Sequence, residues 1–263
     1  MQPLSPRQQS ILNRVVDTYI ETGQPVGSGA ISVLFRGLYG DSYSSATLRH
    51  EMGCLEECGY LTHPHTSAGR VPTDLGYRYY VDHGLRRETV SDFPGRDTVE
   101  KLSRSASRMD TFSEMASREL SVRSDELSLI VIPAAGAGKE LREPDCRVFI
   151  DGTSRMLGKP EFREVEKVRD LFKAIEEKTE VIDWLTDVVA DKDEVSVTIG
   201  EENKPKAFHP CAIVSASYAI DRETVGIVAV IGARRLRYSR MIPLVARMRS
   251  LIEEILDERS DES

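Results

Sequence analysis

The chain has 263 residues, 40% hydrophobic and 30% charged, with 35 Lys+Arg against 43 Asp+Glu for a net charge of −8. That length gives room for two domains with a sizeable core, and the composition excludes a wholly disordered or fibrous chain. The longest apolar runs, Leu127 to Ala135 and Ile227 to Ala233, fall far short of the ~20 residues a membrane helix needs, there is no leader-like apolar N-terminus, and four scattered cysteines make no disulfide framework, so a cytoplasmic protein with no membrane contact is expected.

Ser5-Pro6 opens the first helix as a cap followed by proline, Leu12, Val15 and Tyr19 form its apolar stripe, and Gly23 closes it. Pro25-Val26-Gly27-Ser28 reads as a turn ending in a second cap. A short helix bearing Ile31, Leu34 and Phe35 follows, interrupted by Gly37 and Gly40. Ser44-Ser45 caps a third helix whose apolar positions Leu48, Met52 and Leu55 fall at spacings of four and three, and Gly59 ends it. Tyr60 to His63 and the returning Val71 flank the tip His65-Thr66-Ser67-Ala68-Gly69-Arg70, a two-stranded hairpin; Thr73 then caps a fourth helix.

Three helices and a hairpin make the winged variant of helix-turn-helix, in which the third helix enters the major groove and the hairpin touches the backbone beside it. With Leu48, Met52 and Leu55 turned inward, Ala46, Arg49, His50 and Gly53 occupy the opposite or flanking surface. They are either a reading face or ordinary solvated positions; periodicity does not choose. Residues 1 to 90 carry eight Arg, no Lys and nine acids, for −1, while the remainder holds 27 basic and 34 acidic residues, for −7. Arginine as the sole N-terminal cation suits bidentate contacts to phosphate or guanine.

The stretch from Gly84 to Gly95 is linker-like, which sets a domain boundary near residue 90. Residues 91–126 are assigned to a linker and one amphipathic helix with Val99, Leu102, Ala106, Met109, Phe112 and Met115 at threes and fours, a stripe that dimerisation could cover. Residues 127–256 follow as the second domain. It is expected to hold strands at Leu127 to Ile132, Arg147 to Ile150, Val195 to Ile199, Ala212 to Tyr218 and Thr224 to Ile231, and helices at Phe162 to Glu177 and Ile182 to Ala190. A last helix carries Ile242, Val245, Met248, Ile252 and Ile255, and 257–263 is an acidic, frayed tail. Consecutive strands without intervening helices imply antiparallel pairing, hence α+β.

Chemistry finds little support. Gly136 to Glu140 lacks the spacing of a phosphate loop, and no nucleophile elbow, HExxH or paired-carboxylate motif stands out, so no enzyme and no cofactor are expected. Cys54, Cys58, His63 and His65 are four potential zinc ligands, but their spacing is not that of a finger and no metal is assigned. Trp184 reads as core, and Arg234, Arg235 and Arg237 as a solvated basic loop.

Several segments carry a resemblance. Pro25-Val26-Gly27-Ser28, Ser44 to Arg49, Leu55 to Leu61, Pro64 to Thr73 and Gly76 to Asp82, with weaker pieces at Asp151-Gly152-Thr153, Ile199 to Asn203, Gly226 to Gly232 and Tyr238 to Val245, resemble the family of the heat-inducible transcription repressor HrcA. The resemblance implies a winged helix-turn-helix domain followed by a GAF-like α+β domain. It also implies a homodimer on double-stranded DNA at an inverted-repeat operator of chaperone operons, supported by the GroE chaperonin. By position, Ser44, Ser45, Thr47 and Arg49 fall in the recognition helix, and Thr66, Ser67 and Arg70 in the wing. His50 stands where the family pattern has Asn. The segment joining the strands at 127–132 and 147–150 is much shorter than the family's, so the GAF-like domain is expected to be shortened, with dimerisation resting on the helix from Val99 to Met115 and on the last helix. A ligand-sensing winged-helix regulator using the GAF-like domain is the alternative.

Overall fold

The computed structural model describes residues 4–39, 43–64, 69–86, 88–89, 93, 95–105, 108–133, 146–177, 179–189, 195–219 and 225–261. They group into two compact units: Met1–Arg86 with Arg234–Tyr238, and Arg87–Ala233 with Ser239–Ser263.

In the first unit, α1 (Pro6–Thr22) starts from a complete capping box, in which Ser5 accepts from the Gln8 N–H while the Gln8 side chain accepts from that of Ser5. It buries Ile11, Leu12, Val15, Val16 and Ile20 and stops at Gly23, whose φ of 64° lies in the left-handed region. α2 (Ser28–Tyr39) differs from expectation at both ends. Ser28 is its first helical residue rather than its cap, and the helix runs through Gly37, a cost of roughly 1 kcal/mol relative to alanine that tertiary packing outweighs. α3 (Ser45–Glu57) is capped by Ser44 and followed by Gly59 at φ 81°. The hairpin strands β1 (Leu61–Thr62) and β2 (Val71–Pro72) pair antiparallel, and an isolated bridge joins Arg70 to Val26. α4 (Asp74–Tyr79), capped by Thr73, widens into a π turn at Tyr80–Gly84, where the Tyr80 hydroxyl donates to Asp17 at 2.5 Å. Gly76 passes so close under the Tyr60 carbonyl that a β-carbon there would overlap it, which fixes α4 against the hairpin.

The segment from Arg234 to Tyr238 is only in part the solvated loop its three arginines suggested: Arg234 and Arg237 are exposed, but the segment is tied down. Arg234 pairs with Asp74 at 2.9 Å, the Arg235 guanidinium donates to the Ile20 carbonyl at 3.3 Å, and Leu236 and Tyr238 are buried. Arg234 and Arg235 thus meet a carboxylate and a carbonyl of the first unit.

In the second unit the single expected helix is two, α5 (Arg96–Ser105) and α6 (Met109–Ser124), with Arg108 in extended backbone at φ −121°. Five antiparallel strands follow: β3 (Leu127–Pro133), β4 (Cys146–Asp151), β5 (Ser196–Ile199), β6 (Cys211–Ala219) and β7 (Val225–Ala233), in the spatial order β4-β3-β7-β6-β5. Leu129, Val131, Ile213, Ile227, Ala229 and Ile231 form one apolar face. It packs on Phe162, on Leu171 and Ile175 of α8 (Val165–Glu177), and on Ile182, Trp184 and Leu185 of α9 (Thr179–Val189), so Trp184 is core as expected. Between β4 and α8 the chain adds a short helix that the sequence pattern did not announce, α7 (Thr153–Leu157).

On the opposite face Ile130, Ile132, Val214, Ala216, Val228 and Val230 are equally buried, and α6 docks there through Ser117 and Ser128, whose hydroxyls lie 2.9 Å apart. Of the stripe assigned to a dimer contact, Leu102 and Phe112 are buried within the chain, as are Ala116 and Leu120 further along α6, while Val99, Met109 and Met115 are half-buried and Ala106 lies outside the described residues. The last helix, α10 (Tyr238–Asp261), buries Leu244, Val245, Met248, Leu251 and Ile252 and continues through Asp257, where a frayed tail was expected. The architecture is α+β, a winged helix-turn-helix followed by a GAF-like domain.

Candidate nucleic-acid interface

α3 is built to present one side. Leu48, Met52 and Leu55 are each 0% exposed, which fixes the helix's rotation about its own axis and leaves Ala46, Arg49 and His50 exposed. Among the described residues Arg49 has no ion-pair partner. A guanidinium held in water by a rigid helix carries five donors and gives up no internal bond on meeting a guanine edge or a phosphate.

The helix start is stiffened by hydroxyls. Ser44 Oγ accepts from the Thr47 N–H at 3.0 Å and lies 2.9 Å from Thr47 Oγ1, while Ser45 Oγ sits 3.1 Å from Ser28 Oγ at the start of α2. The N-termini of α2 and α3 are thereby tied together. Ser44, Ser45 and Thr47 therefore orient backbone N–H groups before they touch anything outside, and those free N–H groups make a helix start an anion-binding element. Arg7 of α1 reaches the same corner, 3.4 Å from Glu51 and with its guanidinium carbon 5.2 Å from the Tyr43 ring centroid.

His50 lies one turn before Cys54, with Nε2 and Sγ 3.9 Å apart. His63 turns instead to Glu56, so the candidate zinc ligands Cys54 and His63 have separate partners; His65, the other histidine of that set, lies outside the described residues. Thr66 and Ser67 of the wing tip also lie outside them. Arg70 is described, and its position was not legible in the sequence. Its Nη2 stands 3.1 Å and its Nε 3.2 Å from Glu56 Oε2, with only 15% of the side chain exposed. Its backbone N–H and carbonyl form two hydrogen bonds with Val26, at 2.9 and 2.8 Å. Sequence reasoning missed Glu56 because it pairs with a residue fourteen positions later only once the wing has folded back.

An exposed third helix with a capped N-terminus, beside a short hairpin, defines a winged-helix transcription regulator, here joined to a GAF-like α+β domain. The model of the family "HrcA protein C terminal domain" matches residues 97–242, more than half of the chain. The chain belongs to the HrcA family of transcription repressors. Among its relatives, the heat-inducible transcription repressor HrcA of Desulfitobacterium hafniense is 28% identical, with 96% of this chain and 98% of that protein covered. The protein of the same name from Shouchella clausii is 29% identical, with 92% and 95% covered. Those alignments run over 346 and 331 positions, more than the 263 residues present, so gaps open on this chain's side. A crystal structure titled as a hypothetical protein superposes with a TM-score of 0.74 at 20% identity, covering 97% of this chain and 98% of that one; it shares the fold.

Proposed function

We propose that the protein represses heat-shock chaperone operons by binding double-stranded DNA as a homodimer at an inverted-repeat operator, and that repression is relieved when the GroE chaperonin is occupied by unfolded protein. The observation that carries this reading is Arg49, exposed and, among the described residues, without an ion-pair partner, on a helix whose Leu48, Met52 and Leu55 are fully buried. In the proposed complex Arg49 contacts a guanine edge or phosphate, and His50 lies beside it. Ser44, Ser45 and Thr47 present the helix start to phosphate, and Thr66 and Ser67 carry the wing tip along the backbone. Arg70 serves the wing through Glu56.

Two-fold symmetry of the operator requires a second copy. The relatives' names support a heat-responsive repressor, and the regulator fold supports a DNA partner without enzymatic chemistry or cofactor. Among the described residues no helix is long and apolar enough to cross a membrane, which is compatible with work on cytoplasmic DNA. The test is footprinting of the DNA upstream of the chain's own gene, with chaperonin or with small-molecule extract added. Protection of an inverted repeat that strengthens with chaperonin supports the reading. Absence of protection overturns it, and a response to the extract alone favours ligand sensing by the GAF-like domain.

A further inference from the structure

A hairpin of two-residue strands has almost no stability of its own, so the direction of the wing is set by whatever ties it down. Glu56 is the tie from the recognition helix. It stands in the last turn of α3, where an acid opposes the helix dipole, and on the element proposed to meet a polyanion, where it opposes that as well. Nothing in helix formation calls for a carboxylate there.

Its two oxygens account for it. Oε1 receives Nδ1 of His63, which follows β1, and Oε2 receives Nε and Nη2 of Arg70, which precedes β2. One carboxylate thus holds both legs of the hairpin. On the far side of the second leg, Arg70 is clamped by its two backbone bonds to Val26, and Gly69 packs so tightly that a β-carbon would sit 2.5 Å from the Val26 carbonyl carbon. The Arg70 backbone cannot leave without breaking those bonds, and its guanidinium is held by Glu56.

We infer that Glu56 is a positioning residue for DNA binding, fixing the angle between wing and recognition helix through His63 and Arg70, and that Arg70 acts through Glu56 rather than by reaching phosphate. The inference rests on the proposed operator binding. It also makes a prediction of opposite sign to the simplest alternative: deleting a negative charge beside DNA should tighten binding if the charge were all that mattered.

The experiment compares Glu56→Gln with Glu57→Gln, which deletes the same charge one residue away at an exposed position. Operator affinity is read by fluorescence anisotropy, and wing order by amide hydrogen exchange of the free protein. Expected is a loss of about tenfold in affinity for Glu56→Gln, with none for Glu57→Gln. Faster exchange of the Arg70 and Val26 amides, with α1 amides unchanged, is expected in the absence of DNA. Unchanged wing exchange overturns the positioning role whether or not DNA binds. Tighter operator binding by Glu56→Gln overturns it too, because it would mean that a released Arg70 reaches phosphate. If the parent protein fails to bind the inverted repeat while the exchange result holds, the operator reading falls and the structural tie stands.

Discussion

The backbone N–H of Glu88 donates to the Ser239 carbonyl at 2.9 Å, and the Ser239 hydroxyl donates back to Glu88 Oε1 at 2.6 Å. The reason lies four residues on. Pro243 stands inside α10 and has no N–H, so the carbonyl at position 239 is left without its helical partner, and the segment after the first unit occupies it. Pro243→Ala restores a helical donor that competes with Glu88. The expected result is a more stable α10, by up to ~3 kcal/mol, together with loss of exchange protection at the Glu88 amide. Hydrogen exchange resolved by residue checks both; protection retained at Glu88 would show that the proline is incidental to that bond.

Arg49→Ala separates recognition from folding. The side chain is exposed, so thermal stability should move by no more than ~0.5 kcal/mol. Affinity for the inverted repeat should fall by ~1 to 3 kcal/mol if the guanidinium meets a base edge, and discrimination at one position of each half-site should relax. A uniform loss on all sequences, with a salt slope reduced by about one, would instead assign Arg49 to phosphate. Titrations at several salt concentrations on matched and altered repeats distinguish the two.

In the GAF-like domain, Gly226 sits opposite Tyr218 across β6 and β7. The buried Tyr218 ring lies over the glycine, its hydroxyl donating to the Val131 carbonyl at 3.1 Å; burial pushes the phenol far above its usual range, so it stays a donor at any working pH. A β-carbon at 226 would overlap that ring. Gly226→Ala should therefore cost ~1 to 3 kcal/mol, because the ring must leave its rotamer or the strands must part. Urea unfolding followed by near-ultraviolet circular dichroism tests this. A midpoint equal to that of the parent would mean the ring has free space to retreat.

The sequence made legible what local chemistry decides. Ser5, Ser44 and Thr73 cap because a side-chain oxygen two or three residues before free N–H groups has no better partner, and Leu48, Met52 and Leu55 orient α3 because their spacing allows one inward face. What escaped was set by distant partners. The break between α5 and α6 has no proline or glycine in the sequence to announce it. Arg234 and Arg235 are bound by acceptors some 160 and 215 positions earlier, at Asp74 and Ile20. The wing's ties at Glu56 exist only once the hairpin has closed.

Gly53 is the sharpest remaining test of the groove. It lies mid-helix in α3, outside the left-handed region, and a β-carbon there would meet nothing within 4 Å. The fold has no use for a glycine at this position, and its backbone freedom costs the helix ~1 kcal/mol relative to alanine. Gly53→Ala should thus raise the stability of the first unit by about that amount. If the helix lies in a duplex groove, the added methyl meets the DNA instead, and operator affinity should fall severalfold while stability rises. Melting and anisotropy on the same variant would then move in opposite directions. Both rising together would mean that this side of α3 stands clear of the duplex, which would shift recognition toward the helix N-terminus at Ser44 to Arg49.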